Sequence, residues 1–278
     1  MAPTVRVGCS SWTSEAWWGR VYPKGIADGE RLTVYSRLFD TVEVDSTYYR
    51  SPARAVVEGW RRKTPDGFLF TLKFPRDLLD PKLAVDRKAI DGFLESARAL
   101  GPKLGPILLQ FPPWVKPGRA TTFLSALLEA LDPSLRYSVE LRDRGWYEGE
   151  TWAGLRRELS ERRVSLAWSY LTYLEIPPEV TTDFVYLRFI GDHTTVPEEV
   201  HGEVRVDRSA ETRRWAERLR QRQDALESSF VFFNNHYAGF APASANEFRE
   251  AMGMRPVDVG RYARGAQRLE DSVESAEP

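Results

Sequence analysis

Arg136-Tyr137-Ser138-Val139-Glu140-Leu141-Arg142 decides how this chain folds. Side chains alternate faces along a strand, so Tyr137, Val139 and Leu141 share one side and Ser138, Glu140 and Arg142 the other. Thr41-Val42-Glu43-Val44-Asp45-Ser46-Thr47 repeats the device. A charge in a sheet interior is costly unless it is paired or used, so each run marks a strand and a candidate site together. Working outward, the runs Val5–Ser10, Thr41–Thr47, Phe68–Phe74, Ile107–Phe111, Arg136–Arg142, Val164–Ser169, Phe184–Ile190 and Phe230–Asn235 read as eight short strands. They are rich in Val, Ile, Phe and Tyr, as strands covered on both faces should be.

Most connections between them read as helices. Ser51 is placed to cap a helix over Ala53–Arg62, with Pro52 at its first position. Ala84–Leu100, Thr121–Leu131, Glu150–Arg162, Asp207–Glu227 and Ser244–Met252 follow, with Arg31–Phe39 after a long aromatic loop, Trp12–Asp28. Only Tyr170–Asp183, which carries Pro177-Pro178, shows little helix. Strand–helix alternation repeated about eight times points to an α/β fold, a single (β/α)8 TIM-type barrel over residues 1–264. A doubly wound open sheet is the structural alternative, but Gly8-Cys9-Ser10-Ser11 after the first strand is neither a dinucleotide fingerprint nor a P-loop. The polar, acidic stretch 265–278 is expected to be a disordered tail.

Composition narrows the function classes. At 278 residues with 42 % apolar content the chain can bury an ample core. A net charge of −1 provides no overall field for nucleic acid or an anionic membrane. The single cysteine, Cys9, excludes an intramolecular disulfide and a cysteine-based zinc site. No apolar run approaches a membrane span and no signal peptide is seen, so a cytoplasmic location is expected.

Turning the bulky apolar faces toward the helices leaves an inward set: Ser10; Glu43, Asp45 and Thr47; Thr71 and Lys73; Gln110; Ser138, Glu140 and Arg142; Tyr186 and Arg188; Asn234 and His236. Most stand near C-terminal strand ends, where barrel enzymes place their active sites. Three acids meeting three bases fit a paired network that only holds the barrel together. Buried ion pairs are weak stabilisers, however, which favours use over support. Glu43 and Glu140 form a candidate acid–base pair, and Lys73 a candidate Schiff-base lysine. Lys73, Arg142 and Arg188 form a candidate clamp for a phosphate or carboxylate. Trp12, Trp17, Trp18, Tyr22, Trp114 and Trp146-Tyr147 crowd the same rim; some are packing, and the rest form a candidate stacking wall. The histidines are His193, His201 and His236, and only His236 falls on the inner face, so no histidine metal site is expected. A divalent metal on Glu43, Asp45 and Glu140 is the remaining metal reading.

In order along the chain, Gly8-Cys9-Ser10-Ser11-Trp12, Trp18-Gly19 and Tyr22-Pro23, Phe39 through Tyr49, Leu104 through Pro113, Val139 through Arg142 with Trp146, Tyr186 through Gly191, and Phe233-Asn234-Asn235-His236 with Gly239 and Ala241-Pro242 form a specific set. In these motifs the chain resembles the domain of unknown function 72 family, also called YecE-like. The resemblance implies a TIM-type barrel with a polar pocket at the strand C-termini, and no established reaction. Where the family often has a Thr-His pair after the third strand, this chain has Phe74-Pro75-Arg76-Asp77, so no role for that histidine carries over.

The expected function is an enzyme, a hydrolase, isomerase or lyase, acting on a small anionic ligand that is sugar-like or nucleotide-like. Glu140, Glu43 and Lys73 are its expected catalytic residues. Ser10, Trp12, Asp45, Gln110, Arg142, Trp146, Arg188, Asn234, Asn235 and His236 are the expected ligand contacts. The alternatives are a metal-dependent phosphoester hydrolase of endonuclease type and a non-catalytic module for single-stranded nucleic acid or protein. No nucleotide cofactor motif is present.

Overall fold

The computed structural model describes residues 3–265, so nearly all of the tail expected to be disordered lies outside the described residues. Eight strands run parallel: β1 (Thr4–Cys9), β2 (Thr41–Val44), β3 (Leu69–Lys73), β4 (Leu104–Phe111), β5 (Tyr137–Leu141), β6 (Ser165–Leu171), β8 (Phe184–Phe189) and β9 (Ser228–Phe233). The short β7 (Leu174–Glu175) pairs antiparallel with β6. Pairing proceeds β5-β4-β3-β2-β1-β9-β8-β6, and a β5–β6 pairing closes the ring. This is the closed barrel expected from the alternation; an open sheet would leave two edges unpaired.

Outside the ring lie α1 (Asp28–Tyr35), α2 (Arg54–Arg62), α3 (Arg87–Arg98), α4 (Arg119–Ala130), α5 (Gly149–Glu161), α6 (Ser209–Arg220), α7 (Asn235–Ala238) and α8 (Ala241–Ala251). Their ends differ from the sequence expectation for local reasons. Helix α2 starts after Ala53 with no side-chain cap, which leaves Ser51 too far upstream to reach a first-turn N–H. Helix α3 starts later than Ala84, because the Asp86 carboxylate accepts from the Ala89 N–H at 3.0 Å. Helix α6 stops at Arg220 instead of reaching Glu227, whose N–H is drawn to the Asp183 carbonyl at 2.7 Å as the chain enters β9. Strand β2 ends at Val44, and Asp45–Tyr48 forms a 3-10 turn. The Thr47 hydroxyl there donates to the Val44 and Lys73 carbonyls and accepts from the Lys73 N–H, so it replaces the next rung of the β2–β3 ladder.

Between β1 and β2 the ladder is thin, with Cys9 and Val42 as its register pair. The Tyr35 hydroxyl fills the seam, accepting from the Cys9 N–H at 2.8 Å and donating to the Thr41 carbonyl at 3.0 Å. A Cβ on Gly8 would sit 2.2 Å from that carbonyl oxygen, so only glycine allows the approach.

The alternation of faces holds around the ring. Val42, Val139, Leu187 and Phe233 pack outward into the main core under the helices. Inside, Leu108, Ala167, Phe184, Phe230 and Phe232 form a separate apolar layer around the Tyr186 ring. It floors the N-terminal part of the barrel, so the polar inward side chains collect above it, toward the C-terminal mouth. Phe230 and Phe232 point inward although they are bulky and apolar, because this floor layer is itself an apolar core. Among the described residues no helix is long and apolar enough to cross a membrane.

Candidate functional site

Directly above the apolar floor lies an ionic chain that is buried except at Arg142. The Tyr186 hydroxyl bonds Thr71 at 2.8 Å and donates to Glu43 Oε2 at 2.7 Å. Arg188 meets Glu43 through two parallel hydrogen bonds, Nε to Oε2 at 2.8 Å and Nη2 to Oε1 at 2.7 Å. Its Nη1 donates to Glu140 Oε2 at 2.6 Å and to Gln110 Oε1 at 3.1 Å. Arg142 closes the chain from the solvent side, donating Nε and Nη2 to Glu140 Oε2 at 3.2 and 3.1 Å and Nη2 to Gln110 at 3.2 Å. Among the described residues Glu140 Oε1 has no hydrogen-bond partner; the buried Ser169 hydroxyl, also unpartnered among them, stands beside it outside bonding geometry.

This geometry settles the charge states. Burial acts to raise the Glu140 carboxyl, but Arg142 and Arg188 outweigh it and hold the group down at about 2. Burial likewise opposes ionisation of Glu43, and the paired Arg188 again lowers it below the usual carboxylate range. Neither glutamate therefore holds a proton at neutral pH. Arg188 is 1 % exposed and is occupied by two carboxylates, which removes it from direct contact with a ligand.

A group with depressed folded-state pKa contributes stability above its unfolded value, and loses it as pH falls toward the folded one. For Glu140 that window runs from an unfolded pKa of about 4.3 down to about 2. Urea unfolding followed from about pH 6 into this window should lose about 3 kcal/mol to this carboxyl, and Glu140→Gln should flatten that limb. An unchanged pH profile in the variant would contradict the assignment.

The mouth proper is formed by Asp45, Lys73, Tyr48 and Arg142. The Lys73 ammonium lies 3.1 Å from Asp45 Oδ1 and 4.4 Å from the Tyr48 ring centre. Although the Asp45 side chain is 33 % exposed, its carboxyl is raised above the usual range. Burial of the carboxyl in the wall is the first cause and the charge of Glu43 adds to it, against the pull of Lys73. Asp45 is thus the one acid of the three whose surroundings favour the protonated form, a distinction that alternation could not make among three carboxylates on one face.

Several expected contacts lie elsewhere. Trp12 is in the helix-side core, edge-on to Trp60 and Phe70. Trp146 is buried, with its indole N–H donating to the Val115 carbonyl at 2.9 Å. Neither is placed to stack on a ligand: Trp12 is packed into the helix-side core, and Trp146 is held in the 3-10 turn that follows β5. Asn235 is also structural. Its carbonyl accepts from Trp17 and from the Ala241 N–H, and its amide donates to Ser14. Asn234 caps α7 through the His236 N–H at 3.0 Å. Ser10, 3 % exposed, has a hydroxyl with no partner among the described residues and lines a cavity of about 540 Å³ together with Asp45, Glu198, His201, Asn234 and His236.

The histidines depart most from expectation. His193 and His201, from the loop between β8 and α6, both pack against His236, with ring centres 3.7 and 4.5 Å away. Burial and the mutual proximity of the rings lower both His193 and His201 below the ordinary imidazole range. The one sequence signal for them was position. The loop follows a barrel strand at its C-terminal end, where sites gather.

The family model described as "Protein of unknown function DUF72" matches residues 6–268. The UPF0759 protein YecE of Escherichia coli strain K12 is 31 % identical over 163 residues, 58 % of this chain and 57 % of that one. The UPF0759 protein YunF of Bacillus subtilis strain 168 is 23 % identical over 155 residues, 51 % of this chain and 52 % of that one. The matches thus span little more than half the length of these curated relatives. A crystal structure of a DUF72 family protein from Thermotoga maritima MSB8 superposes with a TM-score of 0.76 at 26 % identity, covering 90 % of this chain and 99 % of that one.

Proposed function

Because the chain belongs to the DUF72 family, whose description assigns no reaction, we propose a function from its own site: an enzyme that takes a small anionic, sugar-like or nucleotide-like ligand at the barrel mouth. Arg142 and Lys73 contact the anion, and Asp45 carries the proton. One observation supports this reading above the others. Arg142 is 16 % exposed, and its Nη1 has no hydrogen-bond partner among the described residues. Arg188, Glu43 and Glu140 behind it carry one net negative charge, which Arg142 balances, and they form a rigid support that fixes the Arg142 guanidinium.

The charge arithmetic gives the reading a signature. Asp45, Glu43 and Glu140 balance Lys73, Arg142 and Arg188, so an incoming anion leaves the mouth with excess negative charge. Protonating Asp45 relieves that excess, and its carboxyl is already biased toward the proton. A protonated Asp45 beside bound substrate is then a general acid, and on losing the proton a general base.

The probes are inorganic phosphate, ribose 5-phosphate and AMP, titrated calorimetrically in buffers of differing ionisation enthalpy. At least one is expected to bind with net proton uptake and with affinity that falls as pH rises through the raised Asp45 range. Asp45→Asn should abolish the proton uptake, and Arg142→Ala should weaken binding about 10- to 100-fold, the effect of losing a charge-assisted hydrogen bond. Binding indifferent to Arg142→Ala, or no binding of any probe, counts against the reading.

A further inference from the structure

All three histidines of the chain meet on one side of the mouth, although His193, His201 and His236 come from separate positions along it. Glu198 joins them. One donor atom each from His193, Glu198 and His236 lies within 4.8 Å of the others. His236 carries an independent mark. Its Nδ1 is 2.7 Å from the Val196 carbonyl oxygen. A carbonyl oxygen only accepts, so Nδ1 carries the hydrogen in this contact, and Nε2 is the nitrogen left to take a ligand. A backbone carbonyl on one ring nitrogen is how proteins fix the tautomer and aim of a histidine whose other nitrogen binds a metal.

We propose that His193, Glu198 and His236 form a binding site for one divalent first-row transition ion, with Zn²⁺ as the reference. Two imidazoles and one carboxylate suit such an ion and do not suit Mg²⁺ or Ca²⁺, which take oxygen ligands. The same donor set, with a further position left to water, is one used by catalytic zinc. His193 and Glu198 are exposed, on the loop between β8 and α6, and His236 is held from the buried side. Their rotamers can therefore draw the donors in to the roughly 3.3 Å separations that zinc–ligand bonds of about 2.0–2.1 Å require. Glu198 and His236 line the 540 Å³ cavity that Asp45 also lines, so the ion would be reached from the candidate active site.

The inference is independent of the anion reading, because its test uses metal alone. Untagged full-length protein, stripped with chelator and dialysed, is titrated with Co²⁺ while its visible absorption is recorded, and then with competing Zn²⁺. One equivalent should bind and give the ligand-field bands of a low-coordinate nitrogen–oxygen site. His193→Ala and Glu198→Gln should each weaken Zn²⁺ at least about tenfold. Both side chains are on the surface, so neither variant should alter the melting temperature of the metal-free protein. His236→Ala is less suited, because the side chain is buried and anchored. Absence of saturable binding, or equal affinity in the parent and both surface variants, overturns the site.

Discussion

Replacing Arg188 with methionine is expected to lower the unfolding free energy by about 3–5 kcal/mol, the usual result of removing one partner from a buried ionic network. The guanidinium separates two carboxylates that are each fully buried, at 2.7 Å from Glu43 and 2.6 Å from Glu140. Without it Glu140 keeps only Arg142, while Glu43 is left buried with no cation bonded to it, so Glu43 must take up a proton or water must enter the barrel. The arrangement is costly to break but is not thereby strongly stabilising. Ion pairs in a core often match, and seldom exceed, an apolar packing of the same volume. The triple variant Glu43→Met, Glu140→Met, Arg188→Met, which replaces the network by apolar side chains of similar volume, should therefore recover most of the loss. Urea unfolding of the parent, the single and the triple variant measures this. A single variant within about 0.5 kcal/mol of the parent, the range of ordinary surface changes, would contradict the network's burial.

Gly191→Ala is expected to cost about 3 kcal/mol, through backbone strain together with a backbone clash. Gly191 follows β8 with φ +70°, a conformation that L side chains rarely adopt. A Cβ there would stand 2.0 Å from the His236 carbonyl oxygen and 2.5 Å from its carbon. Backbone cannot swing aside as a flexible side chain does, so α7 must move and carry the His236 ring with it. Thermal unfolding should show the loss, and Zn²⁺ affinity should fall with it. A variant of parental stability and parental metal affinity would mean that the loop gives way without disturbing α7.

The face assignment was legible because it rests on a period of two within single strands. Glu43, Thr71, Lys73, Gln110, Glu140, Tyr186 and Arg188 all point inward where alternation puts them. It failed where the backbone left the strand. Thr47 is in a 3-10 turn, fastened to β3 by its hydroxyl. Trp12 and Trp146 stand just past strand ends, where no period governs direction, and apolar burial drew both indoles into the helix-side core. Asn235 and His236 are helical, so the strand period could not assign them. His193, His201 and Glu198 lie in a loop with no repeating pattern, and their convergence on His236 left no trace in the order of residues.

By itself the sequence determined that eight alternating strands with long crossovers close around a polar mouth, since each strand's pattern is local and the parallel connections leave few topologies. Only the tertiary structure decided which charges meet. Around a closed barrel, strand register brings β2, β5 and β8 together at one level, so Arg188 lies between Glu43 and Glu140 while Asp45 is left at the mouth beside Lys73. Those partnerships are contacts between residues far apart in the chain, set by the closure of the ring.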